Sequence, residues 1–200
     1  DSNSINTRIV LRILRYITDF IEYVENDIEN FSNKYNIQLE NLSEILTLYK
    51  TMLTYHNKKE NVHTINFHMD DYVNKLSEYY IESRPLTGDN DLDYIKETIA
   101  QVNEFNEEKQ LHAVHATNIV SHGVDIDRWN LMIFEGMPRS TAEYIQSLSR
   151  VGRKYYGIVF LTFDSRRTRD LSFFKHFDEY HDIIEYKVEP VPLARWAKLG

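Results

Sequence analysis

Cysteine is absent from all 200 residues, which excludes disulfides and thiolate zinc sites and fits a reducing compartment. The expected location is the cytoplasm. Long apolar runs are absent too. Nothing approaches the roughly eighteen uninterrupted apolar residues of a membrane span, and the opening DSNSINTR lacks the basic-then-apolar profile of a signal peptide. With no initiating methionine, the chain reads as a piece of a longer polypeptide. Glycine is scarce, and none of the six glycines precedes a lysine, so the sequence holds no G-x-x-x-x-G-K-S/T phosphate cradle. Two of only four prolines lie in the closing VEPVPLARWAKLG, which reads as an extended exit. There is no internal repeat and no low-complexity segment.

What is present suffices for one substantial core, at 42% hydrophobic residues. The net charge of -8 argues against indiscriminate coating of nucleic acid, but the average hides a local reversal. From Arg139 to Arg169 seven basic residues face two acidic ones, a net +5. Such a segment is either a solvated face or a place for anionic ligands such as phosphate.

The first fifty residues carry a helical stripe, with Val10, Ile13, Leu14, Ile17, Phe20, Ile21, Val24, Ile28 and Phe31 at three- and four-residue steps. A shorter helix follows through Leu42, Ile45, Leu46 and Tyr49. Neither holds a chemical motif, so both are assigned to packing. Strands are then predicted at 51 to 55, 84 to 88, 111 to 117, 131 to 135 and 157 to 163, alternating with helices through Val62 to Tyr80, Leu92 to Val102 and 140 to 149. Ser140 with Glu143 three residues on predicts a capping box at the start of the last helix. The alternation implies an α/β fold, a parallel sheet covered by helices on both faces, with ligand loops at the carboxyl ends of the strands. The expected division is a helical extension over 1 to 50, the sheet domain over 51 to 165 and a helical and extended segment over 166 to 200.

Two stretches carry chemistry. YIQSLSRVGR places Arg150 and Arg153 at a helix C-terminus, where one cation is explained by the helix dipole, at about 0.3 to 1 kcal/mol. Two arginines beside Gly152 suit a gripped planar anion better, because guanidinium forks match phosphate oxygens. HATNIVSHGVDID follows a strand and offers Thr117, Asn118, Gly123 and Asp125 in one polar loop.

Together these stretches resemble the second, C-terminal RecA-like lobe of superfamily 2 helicases. ATNIVSHGVDI is similar to helicase motif V and QSLSRVGR to motif VI, in that family's order. The resemblance covers roughly residues 51 to 164. SFFKHFDEYH and VEPVPLARWAKLG further resemble the large helicase-like proteins of bacterial DISARM-type phage defence. The resemblance implies that Arg150 and Arg153 meet the γ-phosphate of ATP bound, with Mg2+, mainly on an absent first lobe, Arg153 as the arginine finger. It implies that Gln146 helps place the attacking water or contacts the γ-phosphate, and that Gly123 and Asp125 sit near the ribose. Thr117 and Asn118 then touch the nucleic-acid backbone, as do Asn57, after the motif IV-like strand TMLTYHN, and Thr87 and Gly88 in LTG. DNA is the favoured partner over RNA, beside the first lobe itself. Many relatives have Gly where Ser149 stands.

Asp178 to His181 spell a DExH box, but that box belongs before motif V; here it follows motif VI, in a segment whose aromatics fit a helix. His112 and His115 point to opposite faces of a strand and make a poor zinc site. Two alternatives stand beside the motor reading: a degenerate RecA-like scaffold without ATP chemistry, and a nucleic-acid binder that uses only the +5 segment.

Overall fold

The structure is a computed structural model and describes residues 5–77, 80–103, 110–118, 126 and 128–188. Five strands form one parallel sheet among these residues: β1 (Met52–His56), β2 (Ser83–Leu86), β3 (Ala113–Ala116), β4 (Leu131–Glu135) and β5 (Ile158–Thr162), in the order β2-β3-β1-β4-β5. Three helices precede the sheet, α1 (Ile5–Asn26), α2 (Ile28–Tyr35) and α3 (Leu39–Tyr49). α4 (Lys59–Met69) lies between β1 and β2, α5 (Leu92–Asn103) between β2 and β3 and α6 (Thr141–Leu148) between β4 and β5, and α7 (Thr168–Lys175) and α8 (Phe177–Asp182) follow β5. The expected α/β architecture is the observed one.

Alternation of side chains along each strand divides the sheet into two faces. Leu53, Tyr55, Val114, Ala116, Met132 and Phe134 form one, packed with Val102 of α5, Tyr144 of α6, Ile126 and Trp129. Met52, Ala113, Leu131 and Ile133 form the other, packed with Val10, Leu11 and Leu14 of α1 and Ile65 and Met69 of α4. The helices before residue 50 are therefore packing elements of the sheet's own core. Leu11 and Leu14 are fully buried, each contributing about 1.5 to 3 kcal/mol. Further along α1, Ile21 and Val24 meet Leu42 and Leu46 of α3 in a smaller cluster.

The expected long N-terminal stripe breaks in two. Asp27 leaves helical geometry at φ -137, ψ 44, and α2 closes on Asn36 in the left-handed region at φ 52, a conformation asparagine tolerates. The stripe through Val62 to Tyr80 also shortens: α4 gives way to a π-helical turn over Asp70–Asn74. β2 ends two residues early, because Thr87 turns to bond Asn90.

Candidate functional site

Because every strand is parallel, one edge of the sheet gathers all five carboxyl ends. There Asn57, directly after β1, donates from its amide to Glu135 O at 3.2 Å and Met137 O at 3.1 Å. It thereby ties the loop after β4 to β1. Thr87 is buried: its backbone N–H donates to Asn90 Oδ1 at 2.7 Å and its hydroxyl lies 3.3 Å from the same oxygen. The neighbouring Gly88 is exposed. Thr117, after β3, is buried with its N–H on Leu86 O at 3.3 Å, whereas Asn118 is exposed. The surface available to a ligand at this edge thus includes Gly88 and Asn118, while Asn57 and Thr87 order the loops beneath.

Lys58 and Lys59 lie outside the helicase-like motifs, although a lysine pair just after a strand is a readable phosphate signal. Lys59 begins α4 and pairs with Asp89 across the loop after β2. At the far end of this edge, Asp164 takes a two-pronged pair from Arg166, at 2.9 and 3.0 Å, and lies 3.6 Å from Arg167. The hydrogen bonds of Arg166 are the main cause of an Asp164 carboxyl held below its usual range. Part of the +5 segment is thus neutralised within the protein. Gly136 at φ 78 is required nearby, since a Cβ there would lie 2.9 Å from Asp170 Oδ2.

The arginine helix starts as expected and ends elsewhere. Ser140 caps α6 by accepting from Glu143 N at 3.1 Å. The Glu143 carboxylate takes the Tyr55 hydroxyl at 2.5 Å, pinning α6 to β1. Burial, and then that carboxylate, push the Tyr55 phenol upward. Thr141, Tyr144 and Ser147 face inward, and Gln146 and Arg153 are exposed. α6 runs antiparallel to the strands, so Arg150 and Arg153 sit at the sheet's amino edge, beside the start of β4. The bonds Gly152 N to Trp129 O at 3.0 Å and Ile158 N to Asn130 O at 2.8 Å fix that position. The arginine pair and the Asn57, Thr117 group therefore occupy opposite edges of the sheet, about 17 Å apart by strand length.

Arg153 Nε donates to Ser149 O at 3.2 Å, closing the helix C-terminus. Gly152 has φ 77, and a Cβ on it would meet Gly157 N at 2.7 Å. The turn that presents Arg153 therefore requires glycine at 152. Gly123 and Asp125 lie outside the described residues. The chain after them returns to the amino edge, where Ile126 is buried and Arg128 reaches Asn103 O at 3.3 Å.

Asp178 to His181 lie in α8, not at a strand end. Tyr144 and His181 Nε2 are 2.9 Å apart, and the Tyr180 hydroxyl donates to Thr141 Oγ1 at 3.1 Å, so α8 braces α6. Among the described residues no cluster of three or more His, Asp or Glu is placed to hold a metal ion, and no helix is long and apolar enough to cross a membrane.

Comparison with known proteins gives a consistent result. The family described as the helicase conserved C-terminal domain matches residues 30–155. The DISARM protein DrmA of Bacillus paralicheniformis is 32% identical over 170 residues, 79% of this chain and 15% of that protein. The chain thus spans about 15% of the length of that relative. Among solved structures, the helicase MrfA bound to DNA and AMPPNP aligns at a TM-score of 0.55 with 20% identity, over 71% of this chain and 19% of that one. The C-terminal part of the Fun30 ATPase domain aligns at 0.50 with 10% identity, over 78% and 46%. At these identities the structural likeness shows the fold.

Proposed function

The chain belongs to the helicase conserved C-terminal domain family, and from that premise we propose that it is the second RecA-like lobe of an ATP-dependent, DNA-directed helicase or translocase. It supplies arginines to a nucleotide held on a first lobe and backbone contacts to the strand. The observation that carries this reading is the placement of two ligand-ready surfaces at opposite edges of one sheet. Asn118, Gly88 and the Lys58 to Lys59 turn stand at the carboxyl edge, and exposed Arg153 with Arg150 at the amino edge.

The residues fit ATP as a guest from another lobe. Arg153 and Lys154 are exposed at a glycine turn, a donor set suited to the outer oxygens of a triphosphate. ATP with Mg2+ supplies the phosphoryl group and is held by the first lobe. Arg153 neutralises charge developing on that group, Arg150 supports it from the same helix end, and Gln146, exposed one turn earlier, orients the attacking water. Gly123 and Asp125 are assigned to the ribose. At the other edge Asn118 and Lys59 hold backbone phosphates, while Asn57, Thr87 and Thr117 keep their loops in place. The isolated chain binds strand and turns over no ATP.

The scaffold reading draws on α1, where Ile5, Ile9, Tyr16, Phe20 and Tyr23 are exposed on the side away from the sheet. That row offers a protein-facing surface under either reading. Binding of single-stranded DNA to the isolated chain tests the proposal. Affinity is expected to fall as salt rises, and Lys59→Gln and Asn118→Ala are each expected to weaken it about 3- to 10-fold, the loss of one phosphate contact apiece. DNA binding that ignores both substitutions would remove the carboxyl edge from the account.

A further inference from the structure

The face of the sheet beneath α1 contains a chain of polar side chains that the proposed mechanism does not use. Thr54, His56 and His115 are fully buried and Glu135 is 2% exposed. His56 Nδ1 lies 2.8 Å from Glu135 Oε2, and His56 Nε2 lies 2.7 Å from Thr54 Oγ1. That same hydroxyl lies 2.7 Å from His115 Nδ1. The carboxylate also accepts from Thr7 of α1 at 2.7 Å and Asn61 of α4 at 2.8 Å. A carboxylate and two imidazoles at the centre of a sheet replace apolar packing that would cost nothing to desolvate.

The geometry fixes a direction. Thr54 has one hydroxyl proton and two imidazole neighbours, so it donates to one and accepts from the other. His115 Nε2 is buried without a partner. Were the Thr54 proton aimed at His115, Nε2 would carry an orphaned N–H; aimed at His56, it leaves only a bare lone pair, the cheaper deficit. The order is then His115 Nδ1–H to Thr54, Thr54 O–H to His56 Nε2, and His56 Nδ1–H to Glu135, every donor pointing toward the carboxylate.

These residues sit at the carboxyl ends of β3, β1 and β4. Thr117 and Asn118 follow His115, Asn57 follows His56, and Glu135 precedes the turn into α6. We propose that Glu135, His56, Thr54 and His115 form a directed hydrogen-bond relay of positioning residues. It locks the strand-contacting ends of β1 and β3 to the base of the arginine helix, so that engagement of DNA at one edge is felt by Arg150 and Arg153 at the other. The coupling function rests on the helicase reading; the relay itself does not. Asn57 reinforces the link through its bonds to the Glu135 and Met137 carbonyls.

Two arms test it separately. In the unaltered 200-residue chain, imidazole nitrogen chemical shifts are expected to place the proton on Nδ1 of both His56 and His115, with Nε2 bare. A proton on Nε2 of His115 overturns the relay, whatever the protein does. The second arm compares Thr54→Val, which keeps the shape and removes the hydroxyl, with Thr54→Ser, which keeps the hydroxyl. It uses a polypeptide joining this chain to a first RecA-like lobe. Valine is expected to cut the stimulation of ATP hydrolysis by single-stranded DNA about tenfold while basal hydrolysis stays within about twofold, and serine to restore it. A folded Thr54→Val protein with wild-type stimulation overturns the coupling. An unaltered polypeptide with no DNA stimulation overturns it through the helicase reading, and the imidazole protons then still decide the relay.

Discussion

Alanine at position 153 lowers ATP turnover by a polypeptide joining this chain to a first RecA-like lobe by about 10³-fold or more, the range known for removal of an arginine finger. The competing role for Arg153 is visible in the structure: its Nε caps α6 through Ser149 O. A cap at an exposed helix end contributes about 0.3 to 1 kcal/mol, so its loss leaves the fold intact and cannot account for a thousandfold fall. Lysine separates the two roles. Arg153→Lys retains a cation near the helix end but not the planar fork, so a capping arginine tolerates it and a finger does not. Arg153→Lys is expected to stay at least about 10²-fold below the unaltered protein, with DNA affinity unchanged. Steady-state hydrolysis with a parallel unfolding curve decides it.

Acid destabilises the isolated chain between pH 6.5 and pH 5 by up to about 3 kcal/mol, a large share of the roughly 5 to 15 kcal/mol a domain possesses. Two histidines drive this loss, fully buried His115 and half-buried His112. Burial, then the neighbouring His56, pushes His115 well below the usual imidazole value, and burial, then Lys50, pushes His112 down to about 4. With folded values depressed, the unfolded chain takes up protons first as pH falls below about 6.5. Stability is whole above that point and is lost toward the folded values, at up to about 1.4 kcal/mol per pH unit for each group. Burial pushes the Glu135 carboxyl up, but the hydrogen bonds of His56, Thr7 and Asn61 outweigh it and hold it below the usual carboxylate range. Glu135 therefore adds to the loss only at more acid pH. Urea midpoints at pH 7, 6 and 5 check the sign and the size. A midpoint that stays constant across that range contradicts the depressed proton affinity of these two groups.

The strands were legible as apolar runs: β4 is buried along its whole length, as a central parallel strand is, and β5, at the sheet's edge, keeps an apolar run although it is only partly buried. LMIFE and GIVFLTF are β4 and β5 to within a residue. The start of α6 was legible for a local reason, the Ser140 cap. Position was harder to read. Arg150 and Arg153 announce themselves by type and spacing, but only the antiparallel course of α6 puts them at the amino edge. Thr87 looked like a contact and turns inward because Asn90, three residues on, satisfies its backbone. The relay was invisible for a different reason. Thr54 and His56 share a face by simple alternation, but that His115 and Glu135 lie opposite them depends on the register of three strands distant in sequence, which no local pattern encodes.

The most direct test of the central claim is ATP hydrolysis by a polypeptide joining this chain to a first RecA-like lobe, measured with and without single-stranded DNA beside the 200-residue chain alone. The expected result is no turnover by the chain alone and turnover by the joined polypeptide that rises with DNA. Turnover by neither, with DNA or RNA supplied, would contradict the motor reading and leave the arginine helix as a structural or partner-binding element.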